Sequence, residues 1–129
     1  MRILKELPLV PAERALKVLG GRWKVYVLYF LFDGPMRLSE LRRQIPDVSQ
    51  KVLVQQLREM EEHGLITRTV FAAAPPHVEY SATELGLSLA PLMDTLQRWG
   101  IGHAKATGDD ARMVYCDGFA AENRAATAA

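Results

Sequence analysis

The chain has 129 residues, 49% hydrophobic and 24% charged, the balance of one folded domain and not of a disordered segment. Its single cysteine, Cys116, excludes an internal disulfide framework. The longest apolar run, residues 25–32, is far short of the roughly 20 needed to cross a bilayer. The net charge of +1 is unevenly spread: residues 14–58 carry nine basic side chains against three acidic ones, leaving that stretch at +6 and the remainder at −5. Such asymmetry points the first half toward an anionic partner. The first six residues lack an apolar signal core, so a cytoplasmic protein without membrane attachment is expected.

Pro11 suits the first position of a helix, where its missing N–H would have no partner. A helix over Pro11–Leu19 follows, with Ala12, Ala15, Leu16 and Leu19 on one stripe, ended by Gly20 and Gly21. Residues 23–32 are apolar nearly all round and predict a buried helix, stopped by Asp33-Gly34-Pro35. Ser39 is the expected cap of a short helix ending at Ile45 and closed by Pro46. Ser49 is the expected cap of a second helix to His63, with Leu53, Leu57 and Met60 facing inward and Gly64 as its stop. The three residues between them, Pro46-Asp47-Val48, make the connection a helix-turn-helix needs.

Residues 65–71 and 78–81 are rich in strand formers, with a proline-stiffened loop between them. A helix-turn-helix followed by a hairpin is a winged helix. Thr83 is the expected cap of one long helix, bent at Pro91, with a stripe of Leu85, Leu89, Leu92, Leu96 and Trp99 spaced as in a coiled-coil seam. The fold class expected is α+β, mostly helical: a winged helix-turn-helix domain over residues 10–100 with a two-stranded wing and terminal dimerisation helices. Residues 101–129 form a partly mobile C-terminal extension. No internal repeat is present.

The second helix of the pair presents Gln50, Lys51, Val54, Gln55 and Arg58 opposite its core stripe. These side-chain types suit the major groove of double-stranded DNA: Gln bonds adenine, Lys and Arg bond guanine or phosphate, and a small apolar group meets the thymine methyl. The same pattern also describes an ordinary solvated face, and its setting decides for DNA. Arg42 and Arg43, with Ser39 and Ser49, are expected to hold phosphates and fix register. At the wing, His77 and Arg68 are candidates for the backbone or an adjacent groove. Leu16, Leu19, Leu89, Leu92, Leu96 and Trp99 are the expected homodimer interface, since a winged-helix body has little surface with which to cover them. The three histidines and Cys116 lack zinc-site spacing, and no catalytic motif is apparent, so no enzyme, metal or cofactor is expected.

These residues together resemble a known family. Pro11-Ala12-Glu13-Arg14-Ala15-Leu16, Leu19-Gly20-Gly21-Arg22-Trp23 and the stretch from Asp33-Gly34-Pro35 to Arg42-Arg43 are similar to the opening of HxlR-type bacterial winged-helix regulators. So are Ser49-Gln50-Lys51-Val52-Leu53, Gly64-Leu65 and Pro75-Pro76-His77-Val78-Glu79-Tyr80. The resemblance implies a homodimeric transcription factor on inverted-repeat DNA, and in some members a thiol sensor. Three departures matter. Val10 stands where the family's usual cysteine would be, His77 stands in place of a wing arginine, and Val54 and Gln56 replace Thr and Arg, which is expected to alter sequence preference. With acidic neighbours around Cys116 disfavouring its thiolate, any signal is expected to arrive non-covalently. Two rivals stay open: a winged helix that binds protein instead of DNA, and a sensor holding a small aromatic effector near Trp23, Tyr26 and Phe30.

Overall fold

The computed structural model describes residues 7–113. Its helices are α1 (Pro11–Leu19), α2 (Lys24–Leu31), α3 (Leu38–Gln44), α4 (Gln50–Glu62), α5 (Glu84–Leu87) and α6 (Ala90–Ala106). Its strands are β1 (Met36–Arg37), β2 (Ile66–Phe71) and β3 (His77–Ala82), and a 3-10 turn spans Asp110–Arg112. Two compact units divide at Ala90 and Pro91.

In the first unit the core is a cluster of aliphatic side chains, with Leu28, Leu31, Leu41, Leu53, Leu57, Met60 and Ile66 fully buried. α2 is apolar on almost every side because it runs through the middle of this cluster. α4 is amphipathic and contributes Leu53, Leu57 and Met60 at the predicted spacing. Ile45 and Val48 are buried on either side of exposed Pro46 and Asp47, so the turn between α3 and α4 is pinned by its apolar ends. Ser49 caps α4 as expected, its Oγ accepting from the Val52 N–H at 3.2 Å.

Three expectations need correction, and one strand is added. The two-stranded wing is the β2–β3 hairpin, and the short β1 extends it to a three-stranded antiparallel sheet of order β1-β3-β2. Met36 and Arg37 pair with Tyr80 and Glu79, and two residues are too few to show an alternating pattern. Ser39 lies inside α3 instead of capping it: Arg37 is the cap residue, and the Glu40 carboxylate accepts from the Arg37 N–H at 2.9 Å. Thr83 caps the short α5, accepting from the Gly86 N–H at 3.0 Å, and the chain turns at Ser88 and Leu89 before α6 begins. Pro91 therefore starts a helix and bends none, because the first turn needs no N–H from it. Finally, α6 continues through Gly100 and Gly102 to Ala106.

Two glycines are dictated by their surroundings. Gly64 follows α4 with φ +79°, the left-handed conformation that ends helices. At Gly86 a Cβ would lie 2.1 Å from the Leu65 carbonyl oxygen, so no larger residue fits between α5 and the start of the wing. Thr83 closes the same junction, donating its hydroxyl to the Gly64 carbonyl at 2.6 Å.

In the second unit, α6 carries an Asp94–Arg98 ion pair at 3.0 Å and a stacked Trp99–His103 pair at 5.1 Å. Leu92, Leu96 and Trp99 lie exposed along it, Trp99 at 69%.

Candidate nucleic-acid interface

The side chains expected to meet DNA occupy the outer surfaces of α3 and α4. Gln50, Lys51, Gln55 and Arg58 are exposed on α4, with Val54 half-buried among them. Their spacing places them on one side because each helical residue advances by about 100°. Ser39, Arg42 and Arg43 are exposed on α3. A shallow concavity of about 640 Å³ is lined by Ser39, Arg42, Arg43 and Gln50 together with Leu38 and Pro46. Within it the Arg42 guanidinium donates from Nη1 to Gln50 Oε1 at 3.0 Å. That bond joins the two helices across the turn and aims Arg42 beside the first residue of α4. The contact spans eight residues of sequence, and periodicity alone carries no sign of it.

His77 opens β3 at the wing and is half-buried. Its ring stacks on Phe71 at 4.8 Å, and its nitrogens sit 2.9 Å from the Pro75 carbonyl oxygen and 2.9 Å from Glu79 Oε2. Both neighbours are acceptors, and a neutral ring donates to only one of them. Arg68 and Val70 stay exposed on β2.

The reverse side of α4 holds what composition did not reveal. Lys24, counted above among the basic residues of the first half, is 3% exposed, and its Nζ lies 2.6 Å from Glu59 Oε2. It therefore adds nothing to the outward positive surface. Gln56 also turns inward: its Oε1 is buried, so it does not share the outer face of Gln50 and Gln55, and the expected effect on sequence preference has no basis there. His63, at the end of α4, has its pKa lowered, first by burial and then by the Lys24 ammonium, so the neutral ring is favoured.

Of the expected dimer residues, Leu16 is exposed on α1, while Leu19 is buried within the chain. Leu92, Leu96 and Trp99 share α6, whereas Leu89 sits in the turn before it. Among the described residues no cluster of three or more His, Cys, Asp or Glu could hold a metal, and no helix is long and apolar enough to cross a membrane. Cys116 and most of the expected mobile extension lie outside the described residues.

Comparison with known proteins gives consistent matches. A family model described as HxlR-like helix-turn-helix matches residues 18–107. The HTH-type transcriptional regulator YkvN of Bacillus subtilis (strain 168) is 55% identical over 84 residues, which are 65% of this chain and 71% of that protein. YtcD of the same organism is 46% identical over 105 residues, 81% of this chain and 83% of its own length. Among solved structures, the redox regulator HypR in its reduced form superposes with a TM-score of 0.70 at 40% identity, covering 76% of this chain and 97% of that one. The reduced form of the transcriptional regulator YodB from B. subtilis gives 0.67 at 34% identity, covering 74% and 93%.

Proposed function

We infer, from the premise that this chain belongs to the HxlR-like helix-turn-helix family of transcriptional regulators, that it is a cytoplasmic homodimer binding double-stranded DNA at an inverted-repeat operator. The observation that carries this reading is the outer face of α4, polar, exposed and tied to a basic α3 by the Arg42–Gln50 bond. An α-helix fits the major groove, where Gln55, Gln50 and Lys51 meet base edges and Val54 meets a thymine methyl. Arg42 and Arg43 with Ser39 take the phosphates on either side, supplying salt-dependent affinity and register. Arg58, two turns further along α4, reaches the backbone or a guanine. At the wing, Arg68, exposed on β2, and His77 are the candidates for the backbone or an adjacent groove.

The exposed leucines and Trp99 of α6, with Leu16 on α1, support dimerisation. Two-fold symmetry then spaces the half-sites by about 34 Å, one turn of DNA, or a multiple of it. The position before α1 is Val10, so a thiol signal does not arise there, and the chain's regulation differs in that respect from a cysteine sensor.

Selection from random duplex DNA at physiological salt tests the reading. Enrichment of an inverted repeat, with affinity that falls steeply as salt rises, is expected. Recovery of no repeat, with salt-insensitive binding, overturns it in favour of a protein-binding winged helix.

A further inference from the structure

At the start of α4 one side chain of the outer face is given a fixed orientation. Gln50 is the first residue of that helix, and the N-terminal residues of a recognition helix are those that approach base edges. Its Oε1 accepts from Arg42 Nη1 at 3.0 Å. An arginine side chain can only donate, so the contact settles which end of the amide faces α3. The carbonyl is held by Arg42, and the Nε2 amino group is the end left for another partner.

The surroundings of this pair are rich in donors and positive charge. The concavity around it is lined by Leu38, Ser39, Arg42, Arg43, Pro46 and Gln50, and none of these carries a carboxylate. Asp47, in the turn between the helices, is not among them, and Lys51 follows Gln50 as a further exposed cation. Among the lining side chains only the Ser39 hydroxyl and the second lone pair of Gln50 Oε1 can accept. That oxygen lies against a guanidinium, whose charge repels any further donor hydrogen brought beside it. Arg42 keeps four of its five N–H groups, enough to hold a phosphate while it holds Gln50.

The bases differ in what they offer such an edge in the major groove. Adenine pairs with a glutamine through both ends of the amide, its N6 amino group donating to the carbonyl and its N7 accepting from the NH₂. Cytosine presents a donor, and thymine one acceptor beside a methyl group. Guanine presents two acceptors, N7 and O6. We propose that Gln50 reads a guanine in the half-site through Nε2, and that Arg42 is the positioning residue that turns it away from adenine, the usual partner of a glutamine. The proposal rests on the DNA-binding reading above and deepens it by naming one base of the operator.

Selection from random duplex DNA with the full chain, and again with Gln50→Ala and Arg42→Ala, tests this. Both side chains are exposed, so both variants are expected to keep the urea midpoint of the parent. One guanine of the half-site is expected whose exchange for adenine weakens the parent roughly tenfold, the scale of one base contact. Gln50→Ala should bind the guanine and adenine duplexes nearly equally. Arg42→Ala should weaken both duplexes and also bring their ratio from about tenfold toward one, because the freed carbonyl again accepts from adenine. An Arg42 that only holds phosphate lowers both affinities by the same factor, and that result overturns the positioning role. A Gln50→Ala variant that relaxes no position, or one that relaxes a position occupied by another base, overturns the guanine contact while the DNA-binding reading stands. Selection that enriches no sequence removes both.

Discussion

The outer and inner sides of α4 draw on the same kinds of residue. Outside are Gln50, Lys51, Gln55 and Arg58, all exposed to solvent and joined to α3 by one Arg42–Gln50 bond. Inside are Gln56 and Glu59, the second of them holding buried Lys24, with His63 just beyond the last turn. Adjacent glutamines, Gln55 and Gln56, thus meet opposite conditions. On the outer side a polar group keeps its water and is free to exchange it for a base or phosphate. On the inner side it has lost that water and must find a partner within the molecule or a ligand. Substitutions outside should therefore change binding and leave stability nearly alone, and those inside should do the reverse.

The largest effect is expected inside. Glu59→Leu strands the Lys24 ammonium in the core and should lower unfolding free energy by about 3 kcal/mol. That is the lower end for a broken buried pair, because part of Glu59 remains in water. Replacing Lys24 by Met as well should recover most of the loss, and urea denaturation of the single and double variants measures both. If the single variant is as stable as the parent, the inner side is not the stability element described here.

Outside, Gln55→Ala should cost about 1–3 kcal/mol at one base position and relax preference there, with urea midpoint unchanged. Arg43→Ala should instead weaken all duplexes alike and reduce the salt slope by about 1. Binding isotherms across salt concentrations separate the two. Ser49 lies on the border of the two sides: Ser49→Ala removes the bond to the Val52 N–H and should cost about 1 kcal/mol of stability.

The smallest effect concerns pH. The His63 pKa is lowered from 6.5 by burial, so below that value the unfolded ring takes up a proton that the folded ring resists. Its contribution to stability is complete above pH 6.5 and is lost as pH falls through the lowered folded value. His63→Phe should flatten the slope of stability on the acid side of pH 6.5, as read by thermal melts. An unchanged slope assigns the pH dependence to other groups.

Much of the first unit was legible because its signals are local. Pro11 at the start of α1, Ser49 as a cap and the leucine spacing of α4 each act within one or two turns, and all appear in the structure where the sequence places them. The features missed depend on distant partners. Met36 and Arg37 become a strand only because Tyr80 and Glu79 arrive beside them. Lys24 has the same side chain whether solvated or paired with Glu59, so a count of charge could not separate it from Arg42 or Lys51. The seam spacing of Leu85, Leu89, Leu92, Leu96 and Trp99 runs across the turn at Ser88 and Leu89 without any local mark of the break. Of the candidate site, the outer face of α4 could be read from periodicity, whereas the Arg42–Gln50 bond and the inward turn of Gln56 needed the packed fold.

The three glutamines of α4 allow one measurement that addresses the separation of its sides directly. Side-chain amide signals of Gln50, Gln55 and Gln56 are recorded by NMR as a duplex recovered by selection is added to the full chain. The account predicts that the Gln50 and Gln55 amides shift and exchange more slowly with water, while the Gln56 amide stays in place. Movement of Gln56 with Gln50 and Gln55 undisturbed would contradict it.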